Sequence, residues 1–270
     1  MFTDKYERPC QNQIRIDMPL LLSFSVLIAL VFLLWLLSLA LKDASIVDIF
    51  WGLGFVVVAW IGYFATNGFA PRRLLLTTLV TIWGLRLALY LFWRNHGKGE
   101  DYRYQSMRKR VGKNFPLVSL VVVFGFQGVL IWLISLPIQA AQASSEQFTA
   151  FDFIGVALWA IGLTFEAVGD WQLAAFKSDP SNKGQVMERG LWRYTRHPYY
   201  FGDALLWWGL FCFALPSGWW TIISPLVMTT LLLKISGVAL LEKTLTKTKP
   251  QYEAYVRRTN AFLPWFPKKV

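Results

Sequence analysis

One stretch of this chain gathers more chemically able side chains than any other: Arg189-Gly190-Leu191-Trp192-Arg193-Tyr194-Thr195-Arg196-His197-Pro198-Tyr199-Tyr200-Phe201-Gly202-Asp203. It brings cations, hydroxyls, an imidazole and a carboxylate into one turn and helix start. Guanidinium forks match phosphate oxygens, and the start of a new helix favours an anion. Gly190 permits an unusual backbone, and Pro198 fits a first helical turn. The chemistry this points to is the holding of phosphates. The plainer reading is a basic loop beside a membrane that sets topology and touches anionic lipid.

A second set of residues matters because of where it sits. Asp48, Arg86, Glu166, Asp170, Asp203, Lys234 and Glu242 lie inside or at the ends of long apolar runs. A charge in the middle of a membrane helix costs about 2.5–3.5 kcal/mol on insertion scales, so each needs a reason. Arg86 is eight residues before Arg94, about 12 Å along a helix. Asp170 is seven residues before Lys177, about 10 Å along a helix. Glu166 and Asp170, four apart, share one helix face. Asp48 and Asp203 each sit about one turn inside the start of a run. All fall at a similar depth, which predicts a polar cavity open to one side of the membrane. The alternative is structural ion pairing, of Arg86 with Asp170 or Asp48, and of helix-end carboxylates with the positive helix N-terminus.

The elements that must position these residues are read from the apolar runs. Of 270 residues, 55% are hydrophobic and only 16% charged, and the chain holds 14 Trp and 21 Phe. Mean hydropathy is +0.42. Such a composition excludes a disordered chain, a coiled coil and an ordinary soluble enzyme. A span needs about 20 apolar residues, and candidates fall at 19–41, 45–66, 71–93, 116–139, 151–176, 199–215 and 218–241. The expected fold is an all-α integral membrane protein, a bundle of about seven transmembrane helices with a cytoplasm-facing cofactor cavity. Residues 1–18 are expected as a tail and 19–270 as a single membrane domain, with the cofactor-binding half at about 151–270. The span at 199–215 is short and ends in Leu215-Pro216-Ser217-Gly218, so the last two spans are expected as a tight or partly re-entrant hairpin.

Lys and Arg cluster after the third span, after the fifth, and in the tail beyond Glu242. The positive-inside rule then places the C-terminus in the cytoplasm, in a bacterial inner membrane or the endoplasmic reticulum. The net charge of +11 is read as these loops, not as nucleic-acid binding. Cys10 and Cys212 are far apart and the two His are His96 and His197, so neither a disulfide framework nor a metal centre is expected.

The order Trp192-x3-Arg196-His197-Pro198-x-Tyr200-x-Gly202-Asp203 resembles the signature of membrane sterol reductases and of the steroid 5-alpha-reductase superfamily, in particular its DUF1295 branch. Three further stretches fit that branch: Asp43 to Gly52, Trp83 to Leu87 with Glu100 to Tyr104, and Glu166-x3-Asp170-x6-Lys177. The resemblance covers roughly residues 40–268. It implies an NADPH-dependent oxidoreductase acting on CH–CH groups, like a 3-oxo-5-alpha-steroid 4-dehydrogenase, with a steroid-like or other lipid substrate. It implies cofactor contacts at Asp170, Tyr194, Tyr199 and Asp203, with Lys177 where the steroid enzymes place an Arg and Asn95 on the adenine side. Arg103, Tyr104, Glu166, Arg196, His197 and Glu242 complete the expected cofactor set. The Gln-Glu pair and the Tyr that polarise the substrate ketone in steroid 5-alpha-reductases have no match here, and Gly84 falls near the place of that Tyr. Arg86, or a Tyr held by Asp48, is expected to aim a donor at the carbonyl oxygen, where enolate charge develops; Asp48 and Arg86 are therefore the catalytic candidates. The phosphates are expected among Lys177, Lys183, Arg193 and Arg196.

The same half also resembles isoprenylcysteine carboxyl methyltransferases and phospholipid methyltransferases. The shared features are Arg-His-Pro-x-Tyr, Glu242-Lys243-Thr244-Leu245, Tyr252-Glu253-Ala254-Tyr255 and Leu263-Pro264. In that group the cofactor is S-adenosylmethionine, which has no phosphate. A third class is a non-enzymatic lipid-binding protein on an inherited fold. Tyr252, Tyr255, Phe262, Trp265 and Phe266 give the C-terminal tail apolar anchors, which predicts a docked cover over the cofactor. The expected partners are a lipid or sterol-like small molecule and membrane lipid, and a monomer is favoured.

Overall fold

In a bilayer every backbone polar group must be satisfied within the protein, and a helix does this inside one segment. The computed structural model describes residues 7–268 except 236, 239, 240, 243, 244 and 246–250, with side chains from residue 18 on. Among the described residues there are helices and no strand. Six helical stretches among the described residues are long and apolar enough to cross a membrane: Met18–Leu41, Ile46–Ala65, Ala70–Asn95, Tyr102–Ala143, Ala150–Ser178 and Leu215–Ile235. The chain is a multi-pass integral membrane protein. It falls into two compact units, Met1–Phe148 with Pro216–Thr221, and Thr149–Leu215 with Ile222–Val270.

The first unit holds α1 (Glu7–Leu41), α2 (Ile46–Ala65) and α3 (Ala70–Asn95), then the broken stretch α4 (Tyr102–Val111), α5 (Phe115–Ser119), a π-helical segment Leu120–Gly125, α6 (Phe126–Ile134) and α7 (Leu136–Ala143). α2 and α3 touch backbone to backbone. A Cβ on Gly52 would lie 2.5 Å from the Gly84 carbonyl oxygen, so only small residues allow this approach. Phe55 and Trp83 pack edge to face beside it at 5.5 Å. Polar ties replace the missing hydrophobic drive: the Gln142 amide on α7 donates to Ala59 O and Thr77 Oγ1, both at 2.9 Å. Arg72, only 1% exposed, donates to the carbonyls of Glu146 at 2.8 Å and Gln147 at 2.7 Å. Leu21, Phe32, Leu33, Phe64 and Leu89 stay exposed, as side chains that face lipid do.

The second unit is built on α8 (Ala150–Ser178) and α9 (Pro198–Cys212). Thr149 caps α8: its N–H and hydroxyl both bond the Asp152 carboxylate, at 2.7 and 2.9 Å. α9 runs antiparallel along α8. Gly169 meets Pro198 and Tyr199, Gly162 meets Gly202 and Leu206, and Gly155 meets Gly209 and Phe213. The glycines recur every seven residues on both helices, so the contact stays on one stripe through two turns of each repeat.

Six of the seven stretches expected as spans qualify by length and composition among the described residues, and the one at 199–215 does not. The stretch read as a span at 199–215 is α9, with 15 residues, hence about 22 Å long. That is less than the roughly 30 Å of a hydrocarbon core. It runs back along α8 from Gly169 to Gly155, and the tail beyond the next helix docks on the loop where α9 begins. The chain then continues through α10 (Leu215–Gly218), a 3-10 turn and α11 (Ile223–Thr230) to a π-helical segment ending at Ile235. The Trp208 indole on α9 donates to Thr229 Oγ1 on α11 at 3.3 Å. α12 (Tyr252–Arg258) follows, and extended chain runs on from it.

Candidate functional site

The second unit contains a cavity of about 400 Å³, within the usual range of roughly 300–1,000 Å³ for small-molecule sites. Its wall takes in the C-terminal end of α8, the loop 179–197, the start of α9, part of 241–245 and α12. The loop is fixed locally before it can form a wall. Gly190 has φ +61°, and a Cβ there would strike the Gln172 side chain. Gln172 Oε1 instead accepts the Leu191 N–H at 3.0 Å. The buried Trp192 indole donates to Gly169 O on α8 at 3.1 Å. The chain then turns into Pro198, the first residue of α9.

Arg196 is the hub of this region. Its Nε and Nη2 both reach Glu242 Oε1 at 2.7 Å. Its Nη1 donates to Val256 O at 3.1 Å and to Thr259 O. Its backbone N–H donates to Asn260 O at 2.9 Å. Expected at the phosphates, the guanidinium is turned inward and fastens the tail. The tail is docked elsewhere too. Thr195 Oγ1 donates to Phe262 O at 2.8 Å, Trp265 N–H donates to Tyr194 O at 2.9 Å, and the Tyr255 hydroxyl donates to Trp192 O. Phe262 packs on Phe201 at 5.9 Å, and Phe266 on Tyr194 at 5.9 Å.

His197 lies against the same carboxylate, Nε2 to Glu242 Oε1 at 3.2 Å. Its ring stacks on Tyr200 at 5.7 Å. Burial works to raise the Glu242 carboxyl, but hydrogen bonds from His197 and Arg196 and the Arg196 charge outweigh it and hold the pKa below the ordinary value. Burial and the Glu242 charge push the Tyr252 hydroxyl up to about 12, with Arg196 offsetting part of the rise. Two polar atoms on cavity-wall residues have no hydrogen-bond partner among the described residues: His197 Nδ1 and the Tyr252 hydroxyl. These residues are 1% and 2% exposed. An unsatisfied buried polar group costs about 1–3 kcal/mol.

Of the expected cofactor residues, the cavity wall unites Lys177, Arg196, His197 and Tyr199, together with Lys183, expected at the phosphates. Tyr194, Glu166, Asp170, Asp203 and Glu242 lie outside its lining. Glu166 and Asp170 are buried on α8; Tyr194 is at the end of the 3-10 turn before α9, and Asp203 is in α9.

The other expected residues form a network in the first unit. Asp48 accepts from Arg103 Nη2 at 2.6 Å and from the Tyr104 hydroxyl at 2.7 Å. Arg103 Nε also donates to Asp101 Oδ1 at 2.9 Å, and the same oxygen caps α4 through the Arg103 N–H. The Asp101 N–H donates to Ser45 Oγ at 2.6 Å, and the Ala44 N–H to Glu100 Oε1 at 2.9 Å. Arg108 in turn pairs with Glu100 at 2.8 Å. For both Glu100 and Asp101 burial works upward, yet the arginine partners, Arg108 and Arg103, bring the carboxyl pKa below its ordinary value. So the start of α2 and the start of α4 are stitched together. The Tyr that the sequence expects Asp48 to hold is Tyr104. Asp48 bonds Arg103 and Tyr104 and not Arg86, which lies over the Tyr90 ring at 5.3 Å. Asn95, at the end of α3, accepts from Arg94 Nε at 3.2 Å.

Sequence reasoning passed over Gln172, Ser45, Asp101 and Arg108 as contributors. The first is a polar residue four before the end region of a long helix, with no signal of its own. Ser45 and Asp101 sit within motifs already singled out and Arg108 in the basic run after the third span, so the contact between these segments was the missing information.

Residues 34–259 match the family described as "Protein of unknown function (DUF1295)". An uncharacterized protein of Schizosaccharomyces pombe is 27% identical over 264 residues, covering 86% of this chain and 75% of that protein. No solved structure matches. The matched region contains both the stitched α2–α4 network and the walled cavity, and with it the chain belongs to the DUF1295 family.

Proposed function

We propose that this protein is a membrane-embedded reductase that uses NADPH to reduce an activated C=C bond in a steroid-like or other lipid. The observation that carries this reading is the cavity of the second unit, with Lys177 and Lys183 and the rings of Trp192, Tyr199, Tyr252 and Tyr255 in its wall. The wall is mostly apolar and aromatic, with few polar groups, as cofactor sites are. The donor set fits a phosphorylated dinucleotide. Lys177 and Lys183 would hold phosphate as point charges, and the rings of Trp192, Tyr199, Tyr252 and Tyr255 would flank flat groups. Bound NADPH supplies the hydride. The chain supplies orientation and a field, and the docked tail keeps water from the site. Arg86, or Tyr104 held by Asp48, is proposed as the donor to the substrate carbonyl, in place of the polarising residues that the steroid enzymes carry and this chain lacks. The Lys and Arg distribution supports a cavity that opens to the cytoplasm.

One observation favours the methyltransferase reading. Arg196 gives its guanidinium to Glu242 and to tail carbonyls, which leaves fewer cations for phosphate and suits S-adenosylmethionine. Titration of the purified full-length protein in detergent separates the two. NADPH should bind with a change in its fluorescence, and Lys177→Ala should weaken it about tenfold while NADH is hardly affected. Binding of S-adenosylmethionine without binding of NADPH would overturn the reductase.

A further inference from the structure

We infer that the outer face of the docked C-terminal tail is a lipid-binding surface. Tyr194, Trp265 and Phe266 lie in the headgroup layer of the membrane that the helices cross, and the cations beside them take the phosphates of anionic phospholipid. This holds whichever cofactor the cavity takes.

Depth along α8 places the surface. Up to Gly169 every exposed side chain of α8 is apolar except Thr164, whose hydroxyl bonds Ala160 O at 2.8 Å. From Ala150 to Gly169 the helix climbs about 30 Å, one hydrocarbon thickness. Asp170, Trp171, Gln172 and then Lys177 follow. Trp171 is exposed, as the tryptophans of an aromatic belt are. Gly169 therefore stands at the edge of the hydrocarbon. The segment that carries the tail is fixed at the same level. The Trp192 indole donates to Gly169 O at 3.1 Å, and Pro198 packs on Gly169. The tail docks on this segment, with Trp265 N–H donating to Tyr194 O and Arg196 N–H to Asn260 O, both at 2.9 Å.

What the surface carries names its partner. The rings of Tyr194 and Phe266 meet at 5.9 Å, and those of Phe266 and Trp265 at 6.5 Å, so the three form one patch. Trp265 and Phe266 are 68% and 74% exposed, although the chain beneath them is held. Open aromatic rings at the hydrocarbon edge suit the membrane interface. Arg193 precedes Tyr194, and Lys268, two residues after Phe266, is tied by its N–H to Arg258 O at 2.9 Å. Arg193, Arg257 and Lys268 are exposed and have no ion-pair partner among the described residues. Arg258 is engaged by Glu188 and Arg196 by Glu242. Against these cations α12 exposes one carboxylate, Glu253. Arg193, expected at the cofactor phosphates, lies outside the cavity lining. Unpaired cations around an aromatic patch complement an anionic lipid surface. A second copy of this chain, docked patch to patch, would instead set the same cations against each other.

The test uses the full-length protein in lipid nanodiscs, with Cys10→Ala, Cys212→Ala and Phe266→Cys carrying a flat fluorophore whose emission shifts blue away from water. Neutral discs hold phosphatidylcholine, and anionic discs add phosphatidylglycerol. Both contain a trace of phosphatidylcholine with a nitroxide quencher high on its acyl chain. The fluorophore should be blue-shifted and quenched by the nitroxide lipid, more so in anionic discs. A cation near an anionic surface is worth about fivefold in occupancy. Arg193→Gln with Arg257→Gln should therefore lower the embedded-to-aqueous ratio in anionic discs about 25-fold and leave neutral discs nearly unchanged. Lys268→Gln, at a residue that ties the tail only through its backbone, should lower it about fivefold by itself. A water-exposed fluorophore in both discs would overturn the inference, and so would embedding that ignores phosphatidylglycerol. A blue-shifted fluorophore that the nitroxide lipid does not quench would overturn it as well, because protein would then cover the patch.

Discussion

Glu242→Ala should release the C-terminal tail without unfolding the helices. One oxygen of Glu242 takes two Arg196 nitrogens at 2.7 Å and His197 Nε2 at 3.2 Å. The Arg196 side chain is only 8% exposed, so removing its counter-charge strands a buried cation. A fully buried broken pair costs about 3–5 kcal/mol. Glu242 is 24% exposed, and solvent screening brings the expectation down to about 2 kcal/mol. At 1.4 kcal/mol per tenfold, that raises the undocked fraction about 30-fold. Hydrogen exchange reads it directly, because the Trp265 N–H and the Arg196 N–H are bonded across the docking contact. Peptides covering 260–268 should exchange faster, while those of α8 and α9 should not. Glu242→Gln, which keeps an oxygen for Arg196, should fall between. The pH dependence has a defined sign. Glu242 is held below its ordinary value of 4.5, so its contribution is complete above that value and fades as pH falls through the lower folded one. Protection of the tail should therefore be flat from about pH 8 to about pH 5 and decline only in stronger acid. Unaltered exchange at 260–268 in a folded Glu242→Ala protein would refute the latch.

Other expectations follow from the helix contacts and the network. Gly162→Ala would set a Cβ 2.5 Å from Gly202 O and 2.6 Å from Leu206 N; forcing the helices apart should destabilise by about 1–3 kcal/mol, seen as a lowered Tm in detergent. Asp48→Asn should lower the Tm more than Tyr104→Phe, because it weakens both the Arg103 and the Tyr104 contacts, whereas the latter removes one neutral donor worth about 1 kcal/mol; equal effects would count against a shared carboxylate. Ser145→Cys should react with an impermeant thiol reagent added outside the cell, and labelling from the cytoplasmic side alone would reverse the proposed orientation.

Charge in an apolar run is easy to see in a sequence, because its desolvation cost marks it. Its partner is not. Asp48 was visible as a costly carboxylate, and Glu100 to Tyr104 as a motif, but only the fold brings them within 2.6 Å. Arg196 was legible as a cation in a dense motif. Its engagement with Glu242 and the Val256 carbonyl depends on a tail some sixty residues on, which local pattern does not reach. The aromatic anchors of that tail were legible, since unpaired chain rarely carries so many. The run at 199–215 was legible as apolar, but hydropathy registers apolar content, not what an element packs on. The seven-residue glycine spacing at 155, 162, 169 and at 202, 209 was the available sign that this short run pairs with α8.

The glycine stripe between α8 and α9 has a mechanical consequence. Backbones in direct contact interlock, so neither helix can slip a turn past the other without lifting off, and packed contacts of this kind switch rather than bend. The loop 179–197 leaves one of these helices and enters the other, so both of its ends are pinned to a rigid spine. A wall whose ends are held on such a spine leaves less ordering entropy to lose when a ligand arrives.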